Sequence, residues 1–138
     1  MTRRKLMLVA VCALVVLIGG WALTHAHSPV PAEATAGGAG TSTCPIATLP
    51  REATDTVRRI HAGGPFPFPR SDGEVFANHE GHLPKQQRGY YHEYTVPTPG
   101  AKTRGTRRVI TGGEPPTNPP EFYYTGDHYE TFCQIGGA

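Results

Sequence analysis

Two runs of alternating residues around a Pro/Gly turn constrain this chain more than anything else in it. They are Tyr90-Tyr91-His92-Glu93-Tyr94-Thr95-Val96 and Arg104-Gly105-Thr106-Arg107-Arg108-Val109-Ile110, with Pro97-Thr98-Pro99-Gly100 between them. Aromatic, charged and β-branched residues alternate in both, as in half-buried strands, and the intervening residues are those of a turn. A hairpin folded about Gly100 and Ala101 sets Glu93 across from Arg108. Because one face of a strand repeats every second residue, Arg104 and Arg108 share a face unless a bulge intervenes. One carboxylate beside two guanidinium groups is either a cross-strand ion pair on a solvated sheet, worth only tenths of a kcal/mol, or a site that handles an anion.

The rest of the chain predicts what this hairpin packs against. Pro50 to Gly63 reads as a helix, with Pro at its start, Glu52 and Asp55 early, Arg58 and Arg59 late, Gly63 at its end and Ala53, Val57 and Ile60 on one face. Further strands are expected at Glu74-Val75-Phe76, Phe122-Tyr123-Tyr124 and Tyr129 to Ile135, separated by turns rich in Gly, Pro and Asp. One helix on a small antiparallel β-sheet is an α+β fold. Pro65 to Pro69 and Pro115 to Pro120 read as extended loops.

The first residues are a different object. Arg3, Arg4 and Lys5 precede an apolar run from Leu6 to Leu23, so residues 1–26 read as an export signal peptide or, if uncleaved, a signal anchor. Residues 27–43 are mostly Ala, Gly, Ser, Thr and Pro, a flexible tether, and residues 44–138 form the folded domain. The expected location is extracellular, with membrane anchorage through the N-terminal segment as the alternative. Of thirteen Lys/Arg residues against eleven Asp/Glu, the leader removes three, leaving ten. A near-neutral domain that binds a polyanion must use a local patch of arginines rather than a global field. Cys12 lies in the leader, so Cys44 and Cys133 remain; in an oxidising compartment they are expected to form one disulfide, the alternative being two free thiols. His61, His79 and His82 lack paired metal-ligand spacing, so no metal site is expected.

Five stretches carry a resemblance: Glu52-Ala53-Thr54-Asp55-Thr56, Gly64-Pro65-Phe66-Pro67, Gly89-Tyr90-Tyr91-His92-Glu93-Tyr94-Thr95-Val96, Thr103-Arg104-Gly105-Thr106-Arg107-Arg108 and Tyr123-Tyr124-Thr125-Gly126-Asp127-His128-Tyr129. From about Cys44 to Ile135 the chain resembles the small guanyl-specific microbial ribonucleases. The resemblance implies a secreted endoribonuclease that cleaves single-stranded RNA 3′ of guanosine without metal or cofactor, first by transesterification to a 2′,3′-cyclic phosphate and then by hydrolysis to a 3′-phosphate. It implies Glu93 as general base, His128 as general acid, Arg104 and Arg108 on the phosphate, and Tyr129 flanking the phosphate and base sites. It also implies a monomer that meets RNA and a small acidic barstar-like inhibitor in the producing cell. The alternative is an inactive RNA-binding or surface-anchored module of the same fold.

Guanine selection is expected in Val75-Phe76-Ala77-Asn78-His79-Glu80. Guanine alone presents N1–H and its 2-amino group as adjacent donors, which one carboxylate accepts together, and Glu80 resembles that acceptor. Adenine would set a lone pair against the same charge. Phe76 is expected to stack on the base, and backbone amides around Asn78 to bind O6. The chain departs from the family pattern at Ala77 and His79, where Gln and Arg are expected, and Cys133 stands a few residues before the expected position of its partner cysteine.

Overall fold

A computed structural model describes residues 41–138. The leader and nearly all of the tether therefore lie outside the described residues.

Helix α1 spans Arg51–Ala62, with Pro50 as its N-cap and Gly63 as its C-cap. Gly63 adopts φ 71°, the left-handed conformation that glycine takes without a Cβ penalty. The amides of Gly63 and Gly64 then close onto the carbonyls of Ile60 and Arg59, at 3.0 and 2.8 Å. The apolar stripe anticipated from spacing is the buried one: Ala53, Val57 and Ile60, with Thr56 beside them.

Six strands form one sheet: β1 (Ser42–Pro45), β2 (Glu74–Val75), β3 (Tyr91–Thr95), β4 (Arg108–Gly112), β5 (Glu121–Thr125) and β6 (Cys133–Gly136), in the spatial order β1-β6-β5-β4-β3-β2. All neighbouring pairs are antiparallel except β1 with β6, which is parallel. The sheet is thus mixed, and the helix packs on it as expected of an α+β fold. Strand β1 begins at Ser42, inside the stretch read as tether, because pairing with β6 supplies the ordering that its composition does not. A disulfide joins Cys44 and Cys133 on these same two strands, with Cα atoms 5.7 Å apart. Closing a loop of 89 residues this way contributes on the order of 4–5 kcal/mol in the chain-entropy model.

Each face of the sheet has its own apolar cluster. On one, Ala53, Val57 and Ile60 of α1 meet Tyr94, Val96, Val109, Phe122 and Ile135. On the other, Leu83, Tyr91, Ile110 and Tyr123 are buried, with Phe76, Tyr90, Tyr129 and Phe132 packed against them. Strand β4 lies between these layers, and every residue from Arg108 to Gly112 is buried.

Three expectations need correction. Glu93 pairs with Ile110, and Arg108 with Thr95. The register is displaced by two residues, because Lys102 to Thr106 leave the ladder and the pairing closes with Val96 N–H on the carbonyl of Arg107 at 3.1 Å. An even displacement keeps Glu93 and Arg108 on one face. Arg104 is consequently on the loop rather than on the strand. Finally, the last strand begins at Cys133, not Tyr129; His128 and Tyr129 have φ of 62° and 76°, incompatible with a strand.

Candidate active site

One cross-strand row organises the end of the sheet face opposite α1. Thr95 on β3, Arg108 on β4 and Thr125 on β5 are register partners across the three strands. Glu93 lies two positions along β3, on the same face. The outer members of the row each hold a functional residue in place: Thr95 Oγ1 accepts a hydrogen bond from Arg104 Nε at 2.9 Å, and Thr125 Oγ1 accepts one from the backbone amide of Tyr129 at 3.0 Å.

The Glu93 carboxylate is held from both sides. Arg104 Nη2 donates to Oε1 at 3.3 Å, and the Tyr129 hydroxyl donates to Oε2. Arg104 is steadied further by Asp72, whose Oδ1 is 3.8 Å from Nη2. The Asp72 side chain is itself almost wholly buried and accepts the amides of Thr95 at 2.7 Å and Phe68 at 3.1 Å. Burial, and then the hydrogen bond to the Glu93 carboxylate, raise the Tyr129 pKa above its ordinary value of 10.0, so Tyr129 is a neutral donor near pH 7.

Arg108 is only 3% exposed. Its Nη1 donates to the carbonyls of Gly105 and Arg107 at 2.9 and 2.8 Å, its guanidinium carbon stands 5.9 Å from the centre of the Tyr129 ring, and its Nε has no hydrogen-bond partner. Among the described residues it pairs with no carboxylate. A buried cation fixed by carbonyls, with a donor edge unspent, is suited to a tetrahedral anion.

His128 stands on the turn between β5 and β6, exposed, with its ring centre 4.9 Å from that of Tyr129 and its amide bonded to the carbonyl of Thr106 at 3.2 Å. Asp127 builds that turn. Its carboxylate accepts Thr125 Oγ1 at 2.9 Å, the Thr131 amide at 3.0 Å and Thr131 Oγ1 at 2.6 Å. These bonds, led by those from Thr131, lower its pKa from 3.8 to about 2. They also hold two consecutive left-handed non-glycine residues, a conformation that costs of the order of 1 kcal/mol or more per residue.

The segment expected to read the base lies beside this cluster. Phe76 stacks on Tyr129 with ring centres 5.1 Å apart. Asn78, at φ 50°, donates from Nδ2 to the Leu83 carbonyl at 2.9 Å and accepts the Leu83 amide on Oδ1 at 3.1 Å. Its side chain therefore closes the loop, leaving backbone groups to face a ligand. Glu80 is exposed in the same turn, which Gly81 closes onto the Asn78 carbonyl at 3.1 Å.

Residues 32–136 match the ribonuclease family. The chain belongs to that family. It is 59% identical over 90 residues to guanyl-specific ribonuclease Sa of Kitasatospora aureofaciens, covering 65% of this chain and 88% of that protein. It is 53% identical over 87 residues to guanyl-specific ribonuclease St of Saccharopolyspora erythraea, covering 63% of this chain and 80% of that one. The crystal structure of ribonuclease Sa2 with guanosine-2′-cyclophosphate superposes with a TM-score of 0.63 at 46% identity, covering 70% of this chain and 97% of that chain. The structure of the same enzyme with 3′-GMP gives 0.60 at 46%, covering 69% and 96%.

As a member of the ribonuclease family, the chain brings together Glu93, Arg104, Arg108 and Tyr129 in direct or near contact, and sets His128 and Phe76 against Tyr129. Glu80 sits apart, on its own turn. Reasoning from sequence did not single out Asp72, Thr95, Thr125 or the turn-building role of Asp127. Asp and Thr residues in turns and at strand ends are ordinary, and only the fold shows that these four position the others.

Proposed function

We propose that this protein is a guanyl-specific endoribonuclease in which Glu93 is the general base, His128 the general acid, and Arg104 and Arg108 the phosphate clamp. The observation that carries the reading is Arg108, a buried cation whose Nε has no partner, on the same sheet face as a carboxylate that Arg104 and Tyr129 orient.

RNA brings its own nucleophile. Glu93 takes the proton of the ribose 2′-OH as that oxygen attacks the adjacent phosphorus, and His128 protonates the departing 5′-oxygen. The products are a 2′,3′-cyclic phosphate and a free 5′-hydroxyl. Charge on the phosphorane oxygens is met by the Arg108 edge and Arg104, and by the Tyr129 hydroxyl once it turns from Glu93 to the phosphate. In the second step the roles exchange. His128 deprotonates water, and Glu93 returns a proton to the 2′-oxygen, leaving a 3′-phosphate.

Glu80 accepts guanine N1–H and the 2-amino group together, backbone amides around Asn78 meet O6, and Phe76 with Tyr129 flanks the base. Because Phe76 and Tyr129 are in contact, base entry requires Tyr129 or Phe76 to move. The leader supports an exported protein, either released or anchored through residues 1–26, with a tether that ends where β1 begins at Ser42 and the catalytic domain following it. Among the described residues, no helix is long and apolar enough to cross a membrane. A monomer restrained in the producing cell by a small acidic barstar-like inhibitor completes the proposal.

Digestion of a defined RNA in the presence of a chelator, with product ends identified, tests the reading. Cleavage confined to positions after guanosine, with 2′,3′-cyclic and later 3′-phosphate ends, is expected. Uncut RNA, or 5′-phosphate ends, would overturn it.

A further inference from the structure

The long connection between β2 and β3 borders a cavity of about 970 Å³ that extends beyond the base-reading loop and is not lined by the proposed catalytic residues. Its walls include Glu74, Phe76, His79, Lys85, Arg88 and Tyr91, whereas Glu80, Glu93, Arg104, Arg108, His128 and Tyr129 do not line it. The volume is ample for a nucleotide.

Two features place this cavity beside the path of the RNA. It shares Phe76 to His79 with the segment that reads the base, so an occupant lies against that loop. Glu74 is also the register partner of Glu93, so one wall begins next to the catalytic strand, on the same sheet face. The lining also includes Lys85 and Arg88, both exposed, and neither pairs with a carboxylate among the described residues. In a domain with nearly balanced charge, two unspent cations on one segment form a local attraction for an anion. Gln86 and Gln87, between them, also line the cavity and offer amide donors and acceptors.

We infer that this cavity is a subsite for the nucleotide on the 5′ side of guanosine, with its phosphodiester held by Lys85 and Arg88. The inference rests on the proposed ribonuclease reading, which fixes the direction. The nucleotide on the 3′ side departs beside His128, on the β5–β6 turn, whereas Lys85 and Arg88 belong to the β2–β3 connection that also carries Glu80. Glu74 repels a phosphate from its own wall and accepts hydrogen bonds from sugar hydroxyls or exocyclic amines. The backbone of the strand therefore runs along the 85–88 wall.

Steady-state cleavage of GpU, ApGpU and GpUpA tests this, using the full chain and a Lys85→Ala/Arg88→Ala variant checked for an unchanged melting temperature. For the wild type, the 5′ extension raises kcat/KM about three- to tenfold over GpU at low salt, and the gain shrinks as salt rises. In the variant GpU cleavage is unchanged and the 5′ gain is lost, while the effect of the 3′ extension persists. No gain from the 5′ extension, a gain that survives in the variant, or loss of the 3′ effect instead would overturn the subsite. Failure of the wild type to cleave GpU would overturn the ribonuclease reading itself, a separate outcome.

Discussion

The hydroxyl of Tyr129 donates its hydrogen bond to Oε2 of Glu93, while the ring of the same tyrosine stacks on Phe76. One side chain thus links the carboxylate proposed as the base to the segment proposed to read guanine. Replacing Tyr129 with Phe keeps the stacking ring and removes only the donor. GpU cleavage should fall about ten- to a hundredfold in kcat/KM, with thermal stability nearly unchanged. Wild-type kinetics would show that the hydroxyl is a bystander.

Glu93→Gln and His128→Ala remove the two proton-transfer groups. Each should lower the rate about 10²- to 10⁴-fold while circular dichroism reports an intact fold, since both side chains lie at the edge of the core. His128→Ala should still cleave substrates whose leaving group needs no proton, such as an aryl phosphodiester of guanosine. Loss of activity on that substrate as well would contradict its role as acid.

Glu80→Ala should leave the catalytic cluster untouched and abolish the preference for guanosine, because Glu80 stands on the 78–81 turn whereas Glu93 is on β3. The ratio of kcat/KM for GpU over ApU should fall by several orders of magnitude from the wild-type value. An unchanged ratio would place base selection elsewhere.

Asp127 links the catalytic turn to pH. Its carboxyl titrates at about 2 in the folded protein against 3.8 as the ordinary value. A depressed folded-state pKa contributes stability that is complete above the unfolded value and is lost as pH falls through the folded one. The turn from Thr125 to Thr131 should therefore loosen between about pH 4 and pH 2. Melting temperatures of the wild type and Asp127→Asn, followed across that range, should converge toward pH 2. A constant gap would mean that the carboxylate charge does not hold the turn.

The helix was legible because its signals are local: Pro50 before it, Gly63 after it, and Ala53, Val57 and Ile60 at helical spacing on one face. The hairpin was legible by period, but its register was not. Period two says which residues share a face, whereas the pairing depends on how many residues the loop removes from the ladder. The first half of β1 has a tether's composition for a related reason, since Ser42 and Thr43 form a strand only by pairing with β6, more than 80 positions away.

The family resemblance carried by contiguous motifs marked Glu93, Arg104, Arg108, His128, Tyr129 and Glu80, because a motif of distinctive side chains is legible in sequence. Only the tertiary structure decided how they are held. Arg108 is buried because β4 is covered on both faces, Arg104 turns back to Glu93 because Thr95 and Asp72 hold it, and Tyr129 reaches Glu93 because Thr125 and Asp127 fix a left-handed turn. These supports come from ordinary residues distant in sequence. Their roles arise from proximity, which pairing and packing create and composition does not encode.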